Sequence, residues 1–211
     1  MKNVEKNTAK FLLQIKAIKL EPTNFFTWAS GWHSPIYCDN RKTLSYPEIR
    51  TYLKEQFAEI IKKSFPDTEL IAGVATGGIA IGALVADMLN IPYVYVRSEA
   101  KSHGLENLIE GEIRNDTKKV IVIEDLISTG KSSIKVIEAL RNAGCDVLGI
   151  IAIFDYQFNT AKENFEKANC KLITLSNYSA LIELALETNY IDKKDLSTLK
   201  LWRTDPANWK K

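Results

Sequence analysis

Apolar positions along the chain change rhythm twice. Phe11, Ile15 and Ile18 recur at helical spacing, which predicts a first helix over about 4–19. From Glu21 to Thr43 that period is lost among aromatic and polar residues with Pro22, Gly31 and Pro35, so loops or short strands are expected. Pro47 suits a first helical position, and Ile49, Leu53, Phe57, Ile60 and Ile61 form the apolar face of a second helix. Beyond it, short apolar runs alternate with helical patterns. The runs are Leu70–Val74, Tyr93–Val96, Val120–Ile123, Val147–Phe154 and Leu172–Leu175; the helical patterns fall near 79–89, 132–143, 159–168 and 178–188. This alternation predicts an α/β fold, with a central parallel sheet flanked by helices. Ligands of such sheets bind beyond the carboxyl ends of the strands, so the residues after each apolar run are where chemistry is expected.

The length of 211 residues fits one domain with a core of its own. Its expected parts are an N-terminal helix and irregular segment over about 1–43, an α/β core over about 44–190 and a C-terminal tail over about 191–211. A net charge of +2 gives no sign of a broad nucleic-acid surface and leaves room for a local basic cluster that takes a small polyanion. Cys38, Cys145 and Cys170 are scattered and form no CxxC pair, which argues against a zinc site or a disulfide framework and fits a reduced, cytoplasmic compartment. Gln14 and Lys16 interrupt the N-terminal apolar run, so no signal-peptide core is expected there, and no apolar stretch has membrane-spanning length.

The segment with most chemical content follows Val120–Ile123. It reads Glu124-Asp125-Leu126-Ile127-Ser128-Thr129-Gly130-Lys131-Ser132-Ser133. Adjacent carboxylates at a strand end accept hydrogen bonds from a sugar diol. The small hydroxyl and glycine turn behind them opens into a helix, whose free N–H groups and positive dipole end favour phosphate. Gly130-Lys131-Ser132 imitates the end of a Walker A loop, but that motif needs glycine where Asp125 stands. An isolated Ser-Thr-Gly turn would read as an ordinary helix start; the carboxylate pair before it makes the segment a phosphoribosyl site.

This stretch, Val120–Ser133, resembles the phosphoribosyl diphosphate signature of type I phosphoribosyltransferases, and Glu-Asp-Leu-Ile-Ser-Thr-Gly resembles the orotate branch of that family. Three further segments extend the resemblance over about residues 20–160. Gly73-Val74-Ala75-Thr76-Gly77-Gly78 is similar to the family's pyrophosphate loop, and its paired glycines permit close approach of backbone to an anion. The run Arg97 to Gly104 gathers Arg97, Lys101 and His103 in a polar stretch expected to be mobile. By itself it reads as a solvated loop; in the resembled family such a loop closes over the diphosphate and reaches the neighbouring subunit's site. The commoner pattern there has lysine where this chain has Ser98. Phe25 to Asp39, with the frame Ser30-Gly31-Trp32-His33-Ser34-Pro35, resembles the orotate enzymes' N-terminal hood, His33 itself reading as structural or exposed.

The resemblance implies the type I phosphoribosyltransferase fold and a transferase of pyrimidine (UMP) biosynthesis. Its expected substrates are orotate and phosphoribosyl diphosphate. Donor-binding residues by this likeness are Thr76, Gly77, Arg97, Lys101, His103, Glu124, Asp125, Leu126, Ile127, Ser128, Thr129, Gly130, Lys131 and Ser132, with Lys101, His103 and Asp125 closest to catalysis. Some members carry lysine at Ala29 and arginine at Tyr156, so Ser128 becomes the candidate for direct contact with orotate. Magnesium is the implied cofactor, held mainly by substrate rather than by protein ligands. A homodimer with shared sites is the implied assembly; neither nucleic acid nor a membrane is an expected partner. Competing expectations are a purine-base transferase, a nucleic-acid-binding regulator on the same fold and a diphosphokinase that makes the donor.

Overall fold

The computed structural model describes residues 2–28, 30–97 and 108–209. Helix α1 (Lys2–Gln14) leads into strand β1 (Ile18–Leu20), and β2 (Phe26–Thr27), β3 (His33–Ser34) and β4 (Ile36–Cys38) follow. A 3-10 helix, Asn40–Ser45, precedes α2 (Pro47–Ser64). The core then runs β5 (Leu70–Val74), α3 (Gly77–Leu89), β6 (Tyr93–Val96), β7 (Ile109–Glu110), β8 (Lys119–Ile127), α4 (Lys131–Asn142), β9 (Asp146–Asp155), α5 (Asn159–Lys167), β10 (Leu172–Asn177) and α6 (Tyr178–Glu187). A 3-10 turn, Lys193–Asp195, and α7 (Leu196–Thr204) complete it.

Six strands form the central sheet in the order β10-β9-β8-β5-β6-β7. Every pairing is parallel except that of β7, which runs antiparallel along β6. The central strands are apolar on both faces because helices cover both. Alternation along each strand then sorts side chains into two layers. Ile71, Ile121, Ile123, Ile151 and Ile153 pack with α1, α2, α3, α6 and α7. Leu70, Ala72, Val74, Val120, Val122, Ile150 and Ala152 pack on the other side with α4 and α5.

Three regions depart from the pattern expected of the sequence. The first helix stops at Gln14, and Lys16 takes a left-handed conformation at φ 53°. Ile18 thus opens β1, which pairs antiparallel with β4, Ile18 opposite Cys38; both a helix face and a short buried strand satisfy the same apolar spacing. The carboxylate-bearing strand also runs on. β8 extends to Ile127, so Glu124 and Asp125 are strand residues rather than the start of a loop. Finally, residues 191–211 are no loose tail among the described positions. Leu199 and Trp202 of α7 are fully buried. The Trp202 indole N–H donates to the His33 carbonyl (3.2 Å), and the Tyr178 hydroxyl donates to the Leu199 carbonyl (3.0 Å).

Truncation of Trp202 therefore leaves a large void where α7, α6 and the segment before β4 meet. Trp202→Ala is expected to lower the unfolding free energy by about 3–5 kcal/mol. Urea denaturation followed by circular dichroism measures it; a loss under about 1 kcal/mol would mean that α7 does not share the core.

Candidate active site

Parallel pairing places the site. β5 accompanies β8 only as far as Gly73 opposite Ile123. On its other edge β8 stays paired with β9 through Ile127 opposite Asp155. Glu124 and Asp125 thus project past the end of β5 on a strand still held from one side. Into the space above β5 comes the start of α3. A methyl at Gly77 would overlap the Asp125 carboxylate, and one at Gly78 would overlap the Ile123 carbonyl. Only glycine lets that helix start lie directly on the strand. The Tyr93 hydroxyl braces the same helix by donating to the Ile79 carbonyl (2.7 Å). The Ala75–Thr76 peptide just before α3 is cis.

The two carboxylates live in different surroundings. Glu124 is 5% exposed. Its Oε1 accepts the Asp125 backbone N–H (2.9 Å) and its Oε2 accepts the Ser133 hydroxyl (3.1 Å). Burial first, and the Asp125 charge second, push the Glu124 carboxyl well above the usual range. Asp125 is less buried and borders the cavity. Its backbone carbonyl accepts the Asn40 side-chain amide at 2.6 Å, and the Asn40 side-chain oxygen accepts the Cys38 thiol at 3.2 Å. The 3-10 helix after β4 is thereby fastened to the carboxylate strand.

Past Ile127 the chain turns through Ser128 and Thr129 to Gly130, which caps α4 in a left-handed conformation at φ 76°. The first N–H groups of α4 have no partner within the helix and face the same space, with the dipole end behind them. The resulting cavity is about 270 Å³. Three segments line it: Ala75 to Gly77, Glu124 to Leu126, and Ser128 to Ser133.

Of the residues expected from sequence, Thr76, Gly77, Glu124, Asp125, Leu126, Ser128, Thr129, Gly130, Lys131 and Ser132 come together here. Ile127 does not line the cavity; it is fully buried in the apolar layer beneath. Arg97 lies at the end of β6, where its guanidinium pairs with Glu110 at 3.5 Å and its N–H donates to the Leu108 carbonyl, outside the cavity lining. Lys101, His103, Ser98 and Ala29 lie outside the described residues. Tyr156 is 1% exposed and packs among Trp28, Phe154, Phe158 and Trp202 at centroid distances of 5.2–5.7 Å. Burial pushes its phenol well above its ordinary range. The His33 ring packs tilted against Phe25 (centroids 5.0 Å apart, planes at 58°), with Nδ1 3.3 Å from the Thr27 hydroxyl. Ser133, Asn40 and Asn164 were not singled out by sequence. Ser133 stood at the end of the quoted motif, which is its signal; the two asparagines carry no spacing signal.

A carboxylate pair and a helix start with unpaired N–H groups stand side by side at the end of a parallel sheet, an arrangement suited in chemistry to a sugar phosphate. The model of the phosphoribosyl transferase domain matches residues 42–188 of this chain. Over 209 residues the chain is 57% identical to the orotate phosphoribosyltransferase of Porphyromonas gingivalis, covering 99% of both chains. Among solved structures it is similar to orotate phosphoribosyltransferase from Aeropyrum pernix, with a TM-score of 0.74 and 26% identity over 87% of this chain and 99% of that one. Leishmania donovani UMP synthase is also similar, with a TM-score of 0.77 and 26% identity over 94% of this chain and 42% of that longer one. The chain belongs to the orotate phosphoribosyltransferase family.

Because the Gly77 position touches the far end of the Asp125 side chain rather than backbone, an added methyl displaces the carboxylate more than the fold. Gly77→Ala is expected to move the melting temperature by no more than about 4 °C, in line with a cost near 1 kcal/mol. Its activity is expected to fall by about a hundredfold, as for a misplaced site group. Thermal melts and steady-state rates of the same preparation check this. Unchanged rates would show that the Asp125 position does not matter.

Proposed function

We propose that the protein transfers the 5-phosphoribosyl group from 5-phosphoribosyl 1-diphosphate to orotate, giving orotidine 5′-phosphate and diphosphate. The observation that carries this is the meeting of Glu124, Asp125 and the Ser128–Ser132 helix start in one cavity, in a chain of this family. Fold alone would not choose the base; the full-length likeness to orotate enzymes does.

In this scheme Asp125 and Glu124 accept the ribose hydroxyls. The N–H groups and hydroxyls from Ser128 to Ser132 hold the 5-phosphate, aided by the α4 dipole. The Thr76–Gly77 loop receives the diphosphate, together with Lys101, His103 and Arg97. The bond from C1 of the sugar to the diphosphate breaks with its electron pair leaving on the diphosphate, and a ring nitrogen of orotate bonds to C1 while giving up its proton to the departing diphosphate. Positive charge on the sugar in the transition state is favoured by the neighbouring Asp125 carboxylate. No side chain attacks the sugar, so rate comes from positioning and from charge stabilisation. Ser128 is the residue assigned to orotate.

The donor set in the cavity is all oxygen apart from Lys131 and backbone N–H groups, with carboxylates from Glu124 and Asp125. Such a set fits a hard cation that keeps most of its ligands from substrate and water. Magnesium is the cofactor in this proposal, with Asp125 the protein carboxylate best exposed to it, and it supplies Lewis-acid neutralisation of the diphosphate. No described helix is long and apolar enough to cross a membrane. A cytoplasmic homodimer is the proposed working form, without nucleic acid or membrane partners.

Absorbance assays with phosphoribosyl diphosphate, magnesium and one base at a time test the substrate. Orotate is expected to turn over fastest; equal or faster reaction of hypoxanthine, guanine or adenine would overturn the choice.

Lys101 is proposed to serve the partner subunit's cavity. A lysine there follows charge as it builds on the diphosphate, so removal should lower turnover more than ground-state binding. Lys101→Ala is expected to fold normally and lose about 3–4 kcal/mol of transition-state stabilisation. Asp125→Asn is expected to bind donor more weakly and turn over slowly. Mixing the two dead variants after reversible dissociation gives a heterodimer with one doubly defective site and one intact site. Recovery towards half of a normal dimer's activity supports sharing; confirmed heterodimers without recovery would show that each subunit completes its own site.

A further inference from the structure

The turn that leads into α4 has a back as well as a front. Its front borders the cavity through Ser128, Thr129 and Gly130. Its back is met by α5, where the Asn164 side-chain amide donates to the Thr129 carbonyl at 2.8 Å. The neighbouring Phe165 ring lies against Gly130 so closely that a methyl there would meet it at 2.9 Å. Two consecutive residues of one helix thus press on two consecutive residues of the turn, 35 positions earlier in the chain.

Peptide planarity gives this contact a consequence. In a trans peptide the C=O and the following N–H point in opposite directions. Anchoring the Thr129 carbonyl to α5 therefore turns the Gly130 N–H away from α5, towards the cavity. A short turn of small residues ending in glycine has ready access to other peptide orientations. Each of those would present a carbonyl dipole where a phosphate oxygen is to sit. Asparagine is also a poor choice for the interior of a nine-residue helix on propensity alone, since its side chain competes for backbone groups. At this position it bonds to backbone outside the helix instead.

We propose that Asn164 is a positioning residue for the sugar 5-phosphate: by gripping the Thr129 carbonyl it aims the Gly130 N–H at the phosphate before the ligand arrives. The proposal rests on the phosphoribosyl assignment of this cavity but not on the identity of the base. Pre-set donors bind without the cost of ordering the turn. The effect belongs to the 5-phosphate end of the cavity. The diphosphate end, at Thr76 and Gly77, is held by α3 and Tyr93 and does not depend on α5.

Titration calorimetry with ribose 5-phosphate and, separately, with inorganic diphosphate and magnesium reads the two ends on the full-length protein. Asn164→Leu removes the donor while improving the helix propensity of α5; Asn164→Asp keeps the size and carries the test should the leucine disturb packing. Both variants are expected to bind ribose 5-phosphate about tenfold more weakly or worse, as for one lost hydrogen bond to a functional group. Diphosphate affinity is expected to stay within twofold. The loss in turnover should then appear chiefly in KM for the donor rather than in kcat. Unchanged ribose 5-phosphate affinity, or an equal loss for both ligands, would overturn the proposal, the latter by showing a merely structural role. If wild-type protein binds neither ligand, the phosphoribosyl assignment falls and this inference with it. If it binds both but does not use orotate, only the choice of base falls and the Asn164 comparison stands.

Discussion

Two carboxylates in succession at the end of a buried strand are the constraint around which this structure is arranged. Strand alternation leads neighbouring side chains towards opposite faces, so Glu124 and Asp125 turn towards different helices while their carboxylates stay close enough for the Asp125 charge to act on Glu124. Glu124 follows the Val120 and Val122 side and reaches Ser133 at the start of α4. Asp125 follows the Ile121 and Ile123 side and lies on Gly77 of α3. Each carboxylate therefore has a helix start next to it, where positive dipole ends and N–H groups favour negative charge. Burial still outweighs this at Glu124, whose carboxyl is raised well above its ordinary range. The less buried member of the pair, Asp125, borders the cavity, and the buried Glu124 also ties the strand to the start of α4 through Ser133.

On the side where β5 pairing stops, such a strand end is held from outside the sheet. The segment before α2 does this directly, and the helix after α6 braces the hood from far away in the chain. Asn40 reaches the Asp125 carbonyl across 85 positions. Trp202 reaches the His33 carbonyl across 169. Between them Trp28, Tyr156, Phe158 and Trp202 form one aromatic cluster, so the N-terminal hood and the C-terminal helix share a core rather than lying separately on the surface. Aromatic side chains suit this junction because a few of them bury much area with little conformational entropy to lose.

The α/β alternation was legible in sequence because strands buried on both faces are written as continuous apolar runs, which helices interrupt with a different period. Leu70–Val74 and Tyr93–Val96 needed no adjustment. The carboxylate pair and the helix start were legible because their chemistry is local to ten residues. What was not legible depended on partners distant in the chain. The end of β8 continues through charged residues because β9 is there to pair with it. Ile18 joins β1 because Cys38 lies opposite. Asn40 and Asn164 act through single side-chain amides on backbone carbonyls, which leave neither a period nor a motif. The last helix was different: Leu196, Leu199 and Trp202 already stood at spacings of three, a signal too short to oppose the polar residues around it.

The cavity combines groups that attract anions with groups that repel them, and their order along the chain makes the combination workable. A sugar phosphate carries its diol and its 5-phosphate only a few bonds apart, so the groups that bind them must also be close and in fixed relation. Spread over separate elements, that relation would depend on how well those elements pack. In the proposed site one strand, one turn and one helix start supply both, in the sequence Glu124 to Ser133, and covalent continuity fixes their separation. What covalent continuity does not fix is the orientation of each peptide within the turn. The bond from Asn164 acts on one of those peptides, and the bond from Asn40 acts at the strand end before it. Neighbouring elements thus supply orientation to a site whose distances the chain itself has already set.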